Sequence, residues 1–141
     1  QIHEMLYIEK GGEEQIVDEL AAYNPLIPKG RELVATVMFE INDEDRRRAF
    51  LAKLGGVEET MFLRVGNTEV HGVPEVDLDR TTESGKASSV QFIHFPFKDA
   101  QAAAFREPGC QAILGFKHEA YGHMAIIPEE SRAALAGDFA D

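Results

Sequence analysis

The chain has 141 residues, 25 of them acidic against 14 basic, and a formal net charge of -11 at pH 7. Polyanions bind through counterion release to Lys and Arg, so this balance argues against nucleic acid or an anionic membrane surface as partner. At 44% hydrophobic and 28% charged the composition is that of a folded domain, and a chain of this length buries roughly 68% of its unfolded surface, enough to fold without a disulfide or a structural metal.

Cys110 is the single cysteine, which rules out an internal disulfide and speaks against a secreted, stapled scaffold. No apolar run approaches the roughly 20 residues of a membrane span. These features point to a cytoplasmic protein. The sequence opens at Gln1 without a start methionine, so an N-terminal segment of the full-length protein is expected to be absent.

In chain order, Ile2, Met5, Leu6 and Glu9 fall at helical spacing until Gly11 and Gly12 interrupt them. Helix resumes with Ile16, Val17, Leu20 and Tyr23 on one stripe and ends at Asn24, Pro25 and Pro28, because proline disfavours helix in the residue before it. The stretch E-L-V-A-T-V-M-F-E-I alternates with apolar residues in both sets, which predicts a central strand covered on both faces. Asn42 or Asp43 then caps a helix carrying Phe50, Leu51 and Leu54, and Gly55-Gly56 stops it. Arg46, Arg47 and Arg48 follow three acids in that helix and are read as a solvated face whose charge order suits the helix dipole.

Gly66-Asn67 between Thr60–Val65 and Thr68–Val73 predicts a two-residue hairpin. Residues 74–87 are polar and aperiodic, a long loop whose role the sequence leaves open. S-S-V-Q-F-I-H-F-P-F reads as a strand, and Asp99 as the cap of an alanine-rich helix that Pro108-Gly109 breaks. Two further strands flank H-E-A-Y-G-H, and an amphipathic helix with Arg132, Leu135 and Phe139 near one line closes the chain. The fold class is therefore α+β, a mainly antiparallel sheet with hairpins flanked by three to five helices, in a single domain over 1–141. Leftover apolar surface predicts a homodimer.

H-E-A-Y-G-H resembles the zinc-hydrolase motif H-E-x-x-H but has one residue too many. On a helix, positions five apart sit roughly 140° apart around the axis, so His118 and His123 cannot share a face. On a hairpin turning through Ala120, Tyr121 and Gly122, the two imidazoles would stand at its base, where opposed Cβ atoms lie about 4.5–5.5 Å apart. With Glu119 or His94 as a third ligand they would form a two-histidine, one-carboxylate face suited to iron or zinc. The plain alternative is that both histidines satisfy turn backbone, and that His94 is a hydrogen-bonded strand residue. His3 and His71 are isolated, and no assembled nucleophile, catalytic residue or cofactor-cradling loop is visible.

Taken together, Q-I-H-E-M-L-Y-I-E-K, A-Y-N-P-L-I-P-K-G-R-E-L-V-A-T-V-M-F-E-I, R-R-R-A-F-L-A-K-L-G-G-V-E-E-T-M-F-L, S-S-V-Q-F-I-H-F-P-F and H-E-A-Y-G-H-M-A-I-I-P resemble an uncharacterised bacterial family, number 3501 among the domains of unknown function. The resemblance implies a longer, basic N-terminus in other members, a shared His118 and His123 pair, and partners among redox, non-haem iron and iron–sulfur proteins. Two functions stay open at this point: an accessory or binding protein without chemistry of its own, and a metal-dependent protein or enzyme built on the two histidines.

Overall fold

The computed structural model describes residues 2–75 and 85–140. Most of the loop expected over 74–87 lies outside them. Five α-helices and two antiparallel sheets make a mixed α+β architecture among the described residues, as the sequence predicts.

Helix α1 (Ile2–Glu4) runs into a π-helical turn, Met5–Glu9, which Lys10 closes in the left-handed conformation at φ 52°. Gly11-Gly12 separates it from α2 (Glu13–Tyr23), and a 3-10 turn through Pro25 follows. None of the α2 residues is fully buried, and Val17 and Tyr23 of its apolar stripe remain exposed.

The first sheet has the order β1-β5-β4, formed by β1 (Glu32–Met38), β5 (Val90–Pro96) and β4 (Val73–Pro74). The centre is therefore β5, and β1 is an edge, contrary to the expectation from its sequence. Apolar residues on both faces carry no information about lateral neighbours, and only one face is fully covered: Leu33, Ala35 and Val37 pack on the core, while Met38 on the other face stays exposed. Along β5 the alternation is clean. Gln91, Ile93 and Phe95 are buried toward the core, while Phe92 and His94 face outward.

The second sheet runs β3-β2-β6-β7, from β3 (Thr68–His71), β2 (Met61–Val65), β6 (Ala112–His118) and β7 (Tyr121–Ile126). Val65 pairs with Thr68 across the expected Gly66-Asn67 turn. The chain crosses from this sheet to the first at Gly72, whose N–H donates to the Met61 carbonyl at 2.8 Å. A Cβ there would sit 2.6 Å from Ile93 Cγ2, so only glycine lets the two sheets approach at this point.

Between the sheets and the C-terminal helices lies one core of Leu33, Leu63, Val65, Ile93, Phe95, Phe105 and their neighbours. Helices α4 (Asp99–Arg106) and α5 (Glu129–Ala136) close it, with the rings of Phe97, Phe105 and Phe139 packed 4.8–5.6 Å apart. Asp99 is the first residue of α4 and not its cap; the Lys98 N–H is satisfied by Gln101 Oε1 at 2.9 Å. The buried Arg132 of α5 donates to both oxygens of Glu129 at 2.7 Å and also to the Phe105 carbonyl, tying the two helices together. This guanidinium, with the Gly109 N–H, holds the Glu129 carboxyl down at about 2, and the same ion pair raises Arg132. A smaller core gathers Leu51, Leu54, Val57 and Ala87 behind α3 (Glu44–Leu51), whose N-terminus Asp43 caps by accepting from the Arg46 N–H at 2.8 Å. The arginine run is partnered locally: Arg48 meets Glu44 at 2.6 Å, and Arg47 donates to the Ile41 carbonyl at 2.8 Å.

Candidate functional site

The β6–β7 turn is tighter than the sequence suggests. His118 pairs with Tyr121, so Glu119 and Ala120 make the turn, and His123 lies opposite Phe116. The two histidines therefore share a face of the sheet as diagonal neighbours, not as an opposed pair. Their rings serve different ends. His118 Nδ1 accepts the Ala120 N–H at 3.0 Å, which requires the Nε2–H tautomer, and that nitrogen donates to the Gly55 carbonyl at 2.8 Å. Both ring nitrogens are thus committed to main chain, and His118 acts as a strap between the hairpin and the turn after α3.

His123 is exposed and lies against the Tyr121 ring at 4.4 Å. Tyr121 in turn packs on Phe39, Phe50 and Phe116 at 5.4–5.9 Å, which anchors the hairpin over the smaller core. Glu119 is exposed in the turn, and His94 sits on the outward face of the other sheet. The expected set of His118, His123, Glu119 and His94 does not converge, and among the described residues no group of three or more His, Cys, Asp or Glu side chains is arranged to hold a metal ion. The physical reason is the register: a two-residue turn offsets the histidines and aims His118 at a neighbouring carbonyl.

A different polar assembly lies on the outer face of the first sheet. His94 stands between two carboxylates, with Nε2 2.7 Å from Glu75 Oε2 and Nδ1 3.3 Å from Glu32 Oε2. Pairing explains the convergence. Val34 and Val73 both lie opposite His94, and Glu32 and Glu75 are each two positions further along on the same face. All three side chains are about one-fifth exposed, at 19%, 19% and 20%. A ring carrying one N–H donates to one of these carboxylates, and only a ring with both nitrogens carrying hydrogen donates to both. Because the two carboxylates sit on opposite ring nitrogens, they flank the imidazole and the three groups do not point at a common ion.

Glu75 also borders a cleft of about 440 Å³ between α2 with its following turn and the outer sheet face. Ala22, Leu26 and Phe92 supply apolar wall, Tyr23 a second ring, and Glu19 and Glu75 two acids, with no basic side chain among the described residues that line it. Beside it a shallower hollow of about 310 Å³ holds Glu32, His94 and Lys29. A cleft of the first size falls in the range of small-ligand sites. Two carboxylates beside two aromatic rings suit a cation carried on an apolar body.

Of this assembly the sequence singled out His94 alone. Glu32 and Glu75 lie 62 and 19 residues away from it, so no local motif could connect them. The one available signal was the period-2 alternation of β5, which places Phe92 and His94 together on the face opposite Ile93.

The chain is similar to a protein of unknown function from Burkholderia pseudomallei seen in a crystal structure, at 41% identity and a TM-score of 0.86, with 99% of this chain and 73% of that chain covered. No match was found among curated proteins. The model of the family described as protein of unknown function DUF3501 matches residues 1–139, and the chain belongs to that family.

Proposed function

We propose that this protein is a cytoplasmic accessory binding protein, and that its cleft beside α2 receives an organic cation, either a free amine or the basic side chain of a partner protein. The observation that carries this reading is Glu75, which lines the aromatic cleft with one face and is held from behind by His94, itself bonded to Glu32. A carboxylate fixed in this way needs little reordering on binding, which favours affinity. The chain's net charge of -11 adds a long-range attraction for positive ligands. The family resemblance supplies the candidate partners, redox or iron–sulfur proteins, which would present the basic group on their surface.

Calorimetric titration with benzylamine, and with a lysine-containing peptide, tests the proposal and separates its two ligand sources. Binding by either probe, weakened about tenfold or more by Glu75→Gln, is the expected result, since a charge-assisted contact contributes about 1.5–3 kcal/mol. Heat indistinguishable between native protein and Glu75→Gln would refute it. The competing reading, a metal-dependent protein using His118 and His123, predicts stoichiometric iron or zinc lost in the double change His118→Ala, His123→Ala. The two main-chain bonds of His118 favour the opposite outcome, a native protein purified without a histidine tag that carries neither metal.

A further inference from the structure

The second sheet ends in β7, a strand whose residues from Gly122 to Ile126 are all exposed and which, among the described residues, pairs only with β6. Its backbone bonding can be read from its ends. Lys117 donates to Thr60 on the β2 side, while Ile127 donates to Ala112 across β6 and β7. In an antiparallel ladder these roles alternate, so Tyr121, His123 and Ala125 bond toward β6, and Gly122, Met124 and Ile126 direct their N–H and C=O groups outward. An open edge of this kind is a template for another strand, and proteins normally blunt it with charge, proline or a bulge. The opposite edge, β3, is four residues long and carries Glu69, which pairs with Lys117 and Arg64. Tyr-Gly-His-Met-Ala-Ile contains none of these devices.

We propose that β7 pairs with β7 of a second copy of this chain, antiparallel about a two-fold axis through Met124, doubling the four-stranded sheet. Three features select a second copy as occupant. The strand has no Asp, Glu, Lys or Arg, so two chains of net charge -11 can meet there without opposing like charges in the ladder. The register centred on Met124 sets each outward-bonding residue against another: Met124 against Met124, and Gly122 against Ile126 at both ends. That register leaves none of the three unpaired, and it places the branched Ile126 opposite a residue without a side chain. Finally, Met124 and Ile126, 62% and 64% exposed, project from the same sheet face, so self-pairing brings two apolar pairs into one patch across the axis.

Light scattering over a concentration series, with disulfide trapping, tests this. Native protein is expected to dimerise, more tightly at higher salt, because screening relieves repulsion between the two acidic chains while leaving the apolar strand contact intact. Met124→Lys and Ile126→Lys should each raise the dimer Kd about thirtyfold or more with an unchanged circular dichroism spectrum. Each lysine makes the chain less acidic, so general repulsion cannot explain that loss. In a Cys110→Ser background, Met124→Cys should form a covalent dimer under mild oxidation much faster than Ile126→Cys, because only the axial residue faces itself. A native protein that stays monomeric, a dimer undisturbed by both lysines, or equal trapping at 124 and 126 would each overturn the proposal. Association that weakens with salt would also overturn it and would point to a basic strand from another protein.

Discussion

The β6–β7 hairpin and the outer face of the first sheet each hold a histidine with both ring nitrogens engaged, but the engagements differ in kind. His118 bonds only main-chain groups close to its own turn and to the end of α3. His94 bonds two carboxylates, Glu32 of β1 and Glu75 just after β4, at the rim of a cleft. The first arrangement fixes a loop; the second leaves charge beside an accessible aromatic wall. In the hairpin His118 is committed to main chain, while the carboxylate–imidazole assembly comes from residues far apart in sequence.

Changes in the hairpin should cost stability more than they cost binding. Tyr121→Ala, which removes a half-buried ring from contact with Phe39, Phe50 and Phe116, is expected to lower unfolding free energy by about 2–3 kcal/mol in urea titration, somewhat below the loss for a fully buried aromatic. His118→Ala leaves the Gly55 carbonyl and the Ala120 N–H without their partner and should cost about 1–3 kcal/mol, with amine binding unchanged. His94→Ala should reverse this pattern. Its partly hydrated carboxylates can turn to water, so stability should fall by only about 1 kcal/mol while amine binding weakens through loss of the frame behind Glu75. Equal effects of the two changes on both measurements would erase the contrast.

A smaller effect comes from the Glu129–Arg132 pair, which belongs to neither region and serves as a control. Because the folded-state pKa of Glu129 lies near 2, below the ordinary 4.5, its contribution to stability is present above about 4.5 and is lost as pH falls toward 2. Glu129→Gln should remove that portion of the acid dependence while leaving amine binding at neutral pH intact. The check is urea unfolding of both proteins across this pH window.

How much the sequence reveals follows the same division. Local pattern captured the helix after Asp43, the Gly66-Asn67 hairpin, β5 and the two C-terminal strands, because caps, turn residues and alternation act over a few positions. It misplaced β1 at the centre of a sheet, since lateral pairing is decided by strands distant in the chain. It also missed the histidine register, because a turn one residue tighter changes which side chains oppose each other. For the same reason the Glu32–His94–Glu75 chain was beyond local reading: three strands must align before its carboxylates meet the ring.

The most direct test is a benzylamine titration of native protein, Glu75→Gln and the His118→Ala, His123→Ala double variant, side by side. The account predicts that the first and third bind alike and that Glu75→Gln loses about tenfold or more in affinity. Binding lost with the hairpin histidines and kept by Glu75→Gln would contradict it.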